Sequence, residues 1–345
     1  MHTDNSIAKS FASDNYSGVH PKVIESVIEV NNMHAASYGK DECTSKLNTV
    51  FSDLFKSKVS VYPVLTGTGA NVVALRSILK PWQSVISSNL SHINVDEGGA
   101  PEVVAGIKIL PITHVNGKIS VESINEQAWG WGDQHRAQPG LVSITQSTEL
   151  GTVYSESELY DITNHCKRLG LFVHLDGARL PNALVENNHD FSFYSDIGVD
   201  VISLGGTKCG AMNSESLIVL NKSFEDAVLY LRKSHAQLYS KMRYVSAQTL
   251  ALYESDLWRT LASNANKMAK YLRDSLVDTK IVFPFPTESN AVFAILPKYS
   301  IEKLSNKWSF YTWDENTSLV RWMTSWDTDF ADVDLFVKDI KDSLL

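Results

Sequence analysis

Two short apolar runs between Gly170 and Gly210 each end in a reactive side chain, and this stretch narrows the choice of folds more than any other. The first, Leu171-Phe172-Val173-His174-Leu175, runs into Asp176-Gly177-Ala178-Arg179. The second, Val199-Asp200-Val201-Ile202-Ser203-Leu204, runs into Gly205-Gly206-Thr207-Lys208. Each reads as a strand that stops at a charge. The chain between Asp176 and Lys208 is long enough for a helix and a return strand, so both charges fall at one edge of one sheet.

The same alternation extends in both directions. Val59 to Leu65, Ser84 to Ser88, Lys108 to Ile112 and Leu141 to Ile144 read as strands,. Helical periods lie between them, one closed by the capping pattern Ser155-Glu156-Ser157-Glu158 at its start and Gly170 at its end,. Earlier, Pro21 suits the first turn of a helix, and Thr44 is a plausible N-cap for a helix carrying Leu47, Phe51 and Leu54,. Strands alternating with helices up to Val219 predict an α/β fold: a large domain whose mostly parallel sheet, of a seven-stranded type, is sandwiched by helices. Beyond Ser246 the pattern changes to a long helical region, Gln248 to Leu276, then strands near Ile281 to Phe285 and Ala291 to Leu296, and a last amphipathic helix from Asp332. We expect a large domain over residues 1–250 and a small C-terminal α/β domain over 251–345, since a chain this long outgrows a single core.

In a sheet of this kind ligands bind at the carboxyl ends of the strands. Val59 to Leu65 opens there into Thr66-Gly67-Thr68-Gly69-Ala70-Asn71, a small-residue turn ahead of a helix, which either cradles an anion such as phosphate or is simply a tight turn,. The third glycine of a dinucleotide fingerprint is absent, because Val72 stands there, and no Gly-Lys-Ser/Thr follows,. The next strand ends near Ser91-His92, a histidine that either serves a ligand or is simply hydrogen-bonded,. Trp129-Gly130-Trp131-Gly132-Asp133-Gln134-His135 is a loop by composition, suited either to binding or to packing against a second subunit,.

Four strand ends thus offer a phosphate cradle at Gly67 and Thr68, a ring partner in His92, an acid in Asp176 beside Arg179, and an amine in Lys208. That set describes a site for pyridoxal 5'-phosphate, in which a lysine holds the aldehyde and an acid pairs with the pyridine nitrogen. The chain also resembles the threonine aldolases, and within them the phenylserine aldolase branch, among the fold-type I, aspartate aminotransferase-like pyridoxal phosphate enzymes. The resemblance rests on Ser13-Asp14-Asn15, Tyr38-Gly39, Gly67-Thr68-Gly69-Ala70-Asn71, Ser91-His92-Ile93, Asp96-Glu97, Thr148-Glu149, His174 to Arg179 and Thr207-Lys208, with Lys241 to Gln248 carrying the branch.

The resemblance implies cleavage of a small β-hydroxy-α-amino acid to glycine and an aldehyde. In it Lys208 holds the cofactor, Asp176 meets the ring nitrogen, His92 stacks on the ring, and Gly67, Thr68 and Arg179 complete the cofactor contacts. Ser13, Arg179 and Arg321 hold the substrate carboxylate, with Tyr38 also in the substrate set. His92 and His135 are both candidates for the base that takes the β-hydroxyl proton, since imidazole titrates near neutrality. A homotetramer, a dimer of dimers, is implied as well, with Tyr38, Lys233 and Arg243 as positions for contacts between subunits. Cys209 departs from the asparagine common after the lysine. Two alternatives stay open: a β-eliminating lyase on the same cofactor, and a catalytically silent scaffold.

Composition removes other classes. A formal net charge of -8 without a basic cluster argues against nucleic acid,. Three widely spaced cysteines fit neither a disulfide framework nor a zinc motif, so we expect no metal site and a reducing compartment,. Met1 to Asn15 is polar, with no basic-then-apolar leader, and no apolar run has the length of a membrane span, so a cytoplasmic enzyme without a membrane partner is expected,.

Overall fold

The computed structural model describes residues 9–345, and seven of its ten strands form one sheet. In chain order these are β1 (Ser60–Val64), β2 (Gln83–Ser88), β3 (Lys108–Ile112), β4 (Gln138–Thr145), β5 (Phe172–Gly177), β6 (Val201–Gly205) and β7 (Glu215–Val219). They lie in the order β1-β7-β6-β5-β4-β2-β3. Only β7 runs against its neighbours, pairing antiparallel with both β1 and β6. Alternate residues of the same strands feed two separate cores. Val173, Leu175, Ile202 and Leu204 pack on one face, while Leu141, Val201 and Leu217 pack on the other. Helices cover both faces, which is why β6 and β7 are buried at every position and read as continuous apolar runs,.

Register sets the site. Thr145 of β4 lies opposite Asp176 of β5, and Asp176 lies opposite Ser203 of β6. Asp176 therefore occupies the carboxyl end of the central strand, and the turn carrying Lys208 leaves the next one.

The remaining strands, β8 (Ala291–Ile295), β9 (Tyr311–Asp314) and β10 (Leu319–Met323), form a small antiparallel sheet in the order β8-β10-β9. Its core holds Met268, Leu272, Val292, Trp322 and Phe336, and it also takes in Phe11 from the start of the chain. Phe11 stacks on Phe336 with ring centroids 4.2 Å apart, and its carbonyl accepts the Met323 amide at 2.8 Å. The N-terminal segment is thereby pinned to the small sheet, and three residues later it delivers Asp14 to the large one.

Three local expectations are corrected. Asp41, not Thr44, caps the helix Glu42–Leu54, because its carboxylate accepts both the amide and the hydroxyl of Thr44. The long helical region is two helices, Arg243–Tyr253 and Leu257–Asp274, separated where Asp256 takes a left-handed conformation at φ 52°. Ile281 to Phe285 contributes one isolated bridge, Val282 to Ile295, and no strand. The helix Glu156–Leu169 has both halves of its capping box and closes on left-handed Gly170, as its sequence predicts,.

Candidate active site

The helix Gly67–Ile78 starts at the carboxyl end of β1. Thr66 caps it, its hydroxyl accepting the Gly69 amide at 3.0 Å. The amides of Gly67 and Thr68 belong to the first turn, where no helical acceptor exists, so they and the helix dipole suit an anion. A Cβ on Gly69 would meet the Gln237 side-chain amide and push it off the Leu65 amide, which donates to its oxygen at 3.0 Å. A cavity of ≈ 290 Å³ opens in front of this turn, lined by Gly67, Thr68, His92, Thr207, Lys208 and Glu215 among others. A larger cleft of ≈ 740 Å³ lies around His114, Lys118, Glu122 and Arg168, but none of the strand-end charges reaches it.

Lys208 sits on a single turn of 3-10 helix after β6, and among the described residues its amine has no hydrogen bond or ion pair. Burial lowers its pKa and the nearby Arg179 adds to this, so the amine is easier to deprotonate than a solvated one,. Cys209 points away from the cavity: its thiol lies 3.7 Å from the Trp258 carbonyl, and burial pushes its pKa up to about 12, leaving it inert,.

Asp176 is held from two sides. Its Oδ1 accepts the Ala178 amide at 3.1 Å, and its Oδ2 accepts Asn71 Nδ2 at 2.9 Å. Asn71 gives its other N–H to Glu97 Oε1 at 2.7 Å, and the same oxygen meets His92 Nδ1 at 2.9 Å. One chain of hydrogen bonds therefore joins Asp176, Asn71, Glu97 and His92. The Glu97 contact raises the His92 pKa, puts the proton on Nδ1 and leaves Nε2 as the acceptor,. Glu149, four residues beyond β4, accepts the His92 amide at 3.0 Å, and burial pushes its pKa up to about 7.

The two arginines differ. Arg179 donates Nε and Nη2 to the two oxygens of buried Asp14, at 2.7 and 2.9 Å. Burial alone would raise the Asp14 carboxyl, but this guanidinium overrides it and holds the pKa at about 2. Arg321, on β10, lies against the rings of Tyr311 and Trp313, 5.2 and 5.1 Å from their centroids. It gives one N–H to the Ala12 carbonyl at 3.3 Å, while its buried Nε has no partner among the described residues. Burial and Arg179 lower its pKa to about 10, so it stays cationic. An ion-paired arginine thus stands beside one that has no carboxylate partner among the described residues.

Of the residues singled out in the sequence, Gly67, Thr68, His92 and Lys208 line the cavity, while Asp176 joins His92 through Asn71 and Glu97, and Arg179 lies near both Lys208 and Arg321. Ser13 lies beside them, buried, with its hydroxyl accepting the Asn15 amide. His135 does not join them within this chain. It precedes β4 and lines a hollow with Lys108, Trp129 and Arg136, at the amino end of the strand whose carboxyl end carries Thr145. Tyr38 is exposed, at φ 57°, with the Lys233 amine 5.0 Å from its ring centroid. Asn71, Glu97, Asp14 and Glu215 escaped the reading of roles. For Glu215 a signal exists, a lone acid opening the apolar run Ser216 to Leu220.

A parallel sheet with one reversed strand, helices on both faces and a second small sheet is the architecture of the fold-type I pyridoxal phosphate enzymes, and the aspartate and lysine stand at the carboxyl ends of adjacent strands of that sheet. The chain matches the beta-eliminating lyase family over residues 10–298, and it belongs to that family, among the threonine aldolases. It is 37% identical over 339 residues to the low specificity L-threonine aldolase of Pseudomonas aeruginosa, spanning 96% of this chain and 97% of the relative. A second low specificity L-threonine aldolase, from a Pseudomonas species, is 38% identical over 345 residues, with 98% of each chain aligned. The solved threonine aldolase of Leishmania major superposes with a TM-score of 0.93 at 32% identity, covering 97% of this chain and 99% of that one.

Proposed function

We propose that this chain is a pyridoxal 5'-phosphate-dependent aldolase that cleaves the Cα–Cβ bond of a β-hydroxy-α-amino acid, L-threonine, L-allo-threonine or L-phenylserine, to glycine and an aldehyde. The observation that carries the reading is the cavity in which the Lys208 amine, the Asp176 network, His92 and the Gly67–Thr68 turn meet. These residues fit the cofactor: two free helix amides for its phosphate, an unpaired amine for its aldehyde, a carboxylate for its ring nitrogen and an imidazole for its face. Bound there, the cofactor supplies an electron sink for the pair released at the α-carbon.

The chain's own residues do the rest. Lys208, with its lowered pKa, is available as the free amine that exchanges with the substrate amine,. Arg321 binds the substrate carboxylate through its unpartnered N–H groups, and Tyr311 and Trp313 fix the plane of the guanidinium,. Arg179, tied to Asp14, adds positive potential beside it. A carboxylate anchored in this way orients the α-carbon, and that orientation selects the bond that breaks. His92 Nε2 faces the cavity as the acceptor for the β-hydroxyl proton, with Glu97 stabilising the imidazolium that results,.

A homotetramer in the cytoplasm completes the reading. Met33, Tyr38 and Tyr239 are exposed on adjoining segments, where the Tyr38 amide meets the Ser240 carbonyl and Arg243 donates to the Met33 carbonyl. Such an apolar face suits a second copy. Cys43, Cys166 and Cys209 are all free, as a reducing compartment requires,.

The test is product analysis with threonine, allo-threonine and phenylserine. Glycine with an aldehyde is the expected outcome, whereas ammonia with a keto acid would replace the aldolase by a β-eliminating lyase. Lys208→Ala should lower turnover at least about 10³-fold and leave no borohydride-fixed cofactor on the chain, as mass spectrometry would reveal.

A further inference from the structure

Glu215 is a buried acid on the wrong side of a phosphate cradle. It opens β7, the reversed strand, and lines the same cavity as Gly67, Thr68 and Lys208. Its residue surface is 8% exposed. Its Oε1 lies 3.4 Å from the Thr207 amide, which donates to it. Its Oε2 faces the first helical turn, 3.9 Å from the point where a Cβ on Gly67 would stand. An ionised carboxylate and a doubly charged phosphate at that turn would repel each other across the cavity,.

We propose that Glu215 is a cofactor-binding residue that meets the phosphate as the neutral acid, donating its O–H to a phosphate oxygen, so that loading of the phosphorylated cofactor takes up one proton. The proton comes from solvent and stays on the carboxyl, and no bond other than that hydrogen bond is made. The inference rests on the cofactor reading above.

The surroundings favour a carboxyl that changes state within the working range. Burial pushes the Glu215 pKa up to about 7, against the opposing pull of the Thr207 amide and the Lys208 charge. Asp176 on β5 adds to the rise, and His92 lines the same cavity. The Gly67–Ile78 helix presents only the neutral Thr68 to the cavity, and the segment beyond β7 reaches the turn through Gln237, also neutral. The sign follows. Below pH 7 Glu215 already carries its proton and loading takes up none. Above it the free site is ionised, a proton must be added on binding, and affinity falls about tenfold for each pH unit.

The experiment titrates the full-length chain, stripped of cofactor, with pyridoxamine 5'-phosphate, following tryptophan fluorescence from pH 6.5 to 9. This probe carries the ring and phosphate but no aldehyde, so Lys208 chemistry does not enter. Unphosphorylated pyridoxamine serves as the reference for protons belonging to the ring and Asp176. Relative to that reference, the wild-type Kd should rise about tenfold per unit above pH 7, and that of Glu215→Gln, which keeps an N–H donor in the same place, should change less than about threefold over the range. Calorimetry of the wild-type chain at pH 8.5, in two buffers of different ionisation enthalpy, should count close to one extra proton taken up with the phosphorylated probe. Parallel profiles in the two proteins, or no extra proton in the wild type, would overturn the role of Glu215. A chain that binds neither the probe nor pyridoxal phosphate at any pH would instead overturn the cofactor reading itself.

Discussion

The two ends of the seven-stranded sheet are built from similar side chains and have opposite characters. At the carboxyl ends, Asp176, Glu149, Glu215, Glu97 and Lys208 crowd one small region, and burial pushes Glu149 and Glu215 up to about 7. At the amino end of β4, the loop with Trp129, Trp131, Asp133 and His135 lies open to solvent, and Arg136 simply stacks on Trp129 at 3.6 Å. That loop has the richer local composition for binding. Strand direction decides otherwise: five adjacent strands, β3-β2-β4-β5-β6, run in parallel and all stop at the same edge, where helices begin with free amides and backbone from distant segments meets,. A histidine at the other end of β4, whose eight residues span roughly 26 Å at the usual rise, has no access to that edge within one chain,.

The contrast can be attacked from either end. The heaviest blow falls on the arginine without a carboxylate partner: under the proposed function Arg321 serves the substrate and not the cofactor, so Arg321→Leu should lower kcat/KM roughly 10³-fold while cofactor binding, read by absorbance, stays unchanged. Equal loss of cofactor would mean that Arg321 supports the fold of the site. Next is the buried ion pair beside it. Asp14→Asn should destabilise the chain by roughly 3 kcal/mol, by stranding Arg179,. The wild-type pair also has an acid limit. With the Asp14 pKa held at about 2 against 3.8 when free, its contribution, about 2 kcal/mol, is complete above pH 4 and lost as the pH falls towards 2,. Denaturant midpoints taken across that range should follow this slope, and Asp14→Asn should flatten it. The smallest effect belongs to the open end: His135→Ala should leave kcat/KM within about twofold. A tenfold loss would break the contrast, since only another copy of the chain brings a second His135 to the cavity.

Much of this was legible beforehand, and the failures share a cause. The strands ending at Asp176 and ahead of Lys208, the Gly67 turn and the capped helix to Gly170 all follow from local rules of period, capping and turn chemistry. The partner of Asp176, by contrast, is 105 residues away in Asn71, and the partner of Arg179 is 165 residues away in Asp14. No periodicity encodes such pairs. Even the misplaced cap at Thr44 belongs here, because its hydroxyl lies 2.7 Å from the Ser246 hydroxyl, in a helix 202 residues on. Of the two histidines left open by imidazole chemistry, only His92 reaches the cavity within the chain.

By itself, then, the sequence determined which side chains stand at the strand ends, because alternating strand and helix periods with right-handed crossovers leave one edge for them all. The tertiary structure alone decided which of those charges remain free to act. Asp14, carried in by a segment pinned to the small sheet, occupies Arg179 and leaves Arg321 without a carboxylate partner among the described residues. Asn71 and Glu97 tie His92 to Asp176, and the reversal of β7 aims Glu215 at the Gly67 turn. Whether a charge is spent or available depends on what a distant segment brings within about 3 Å of it.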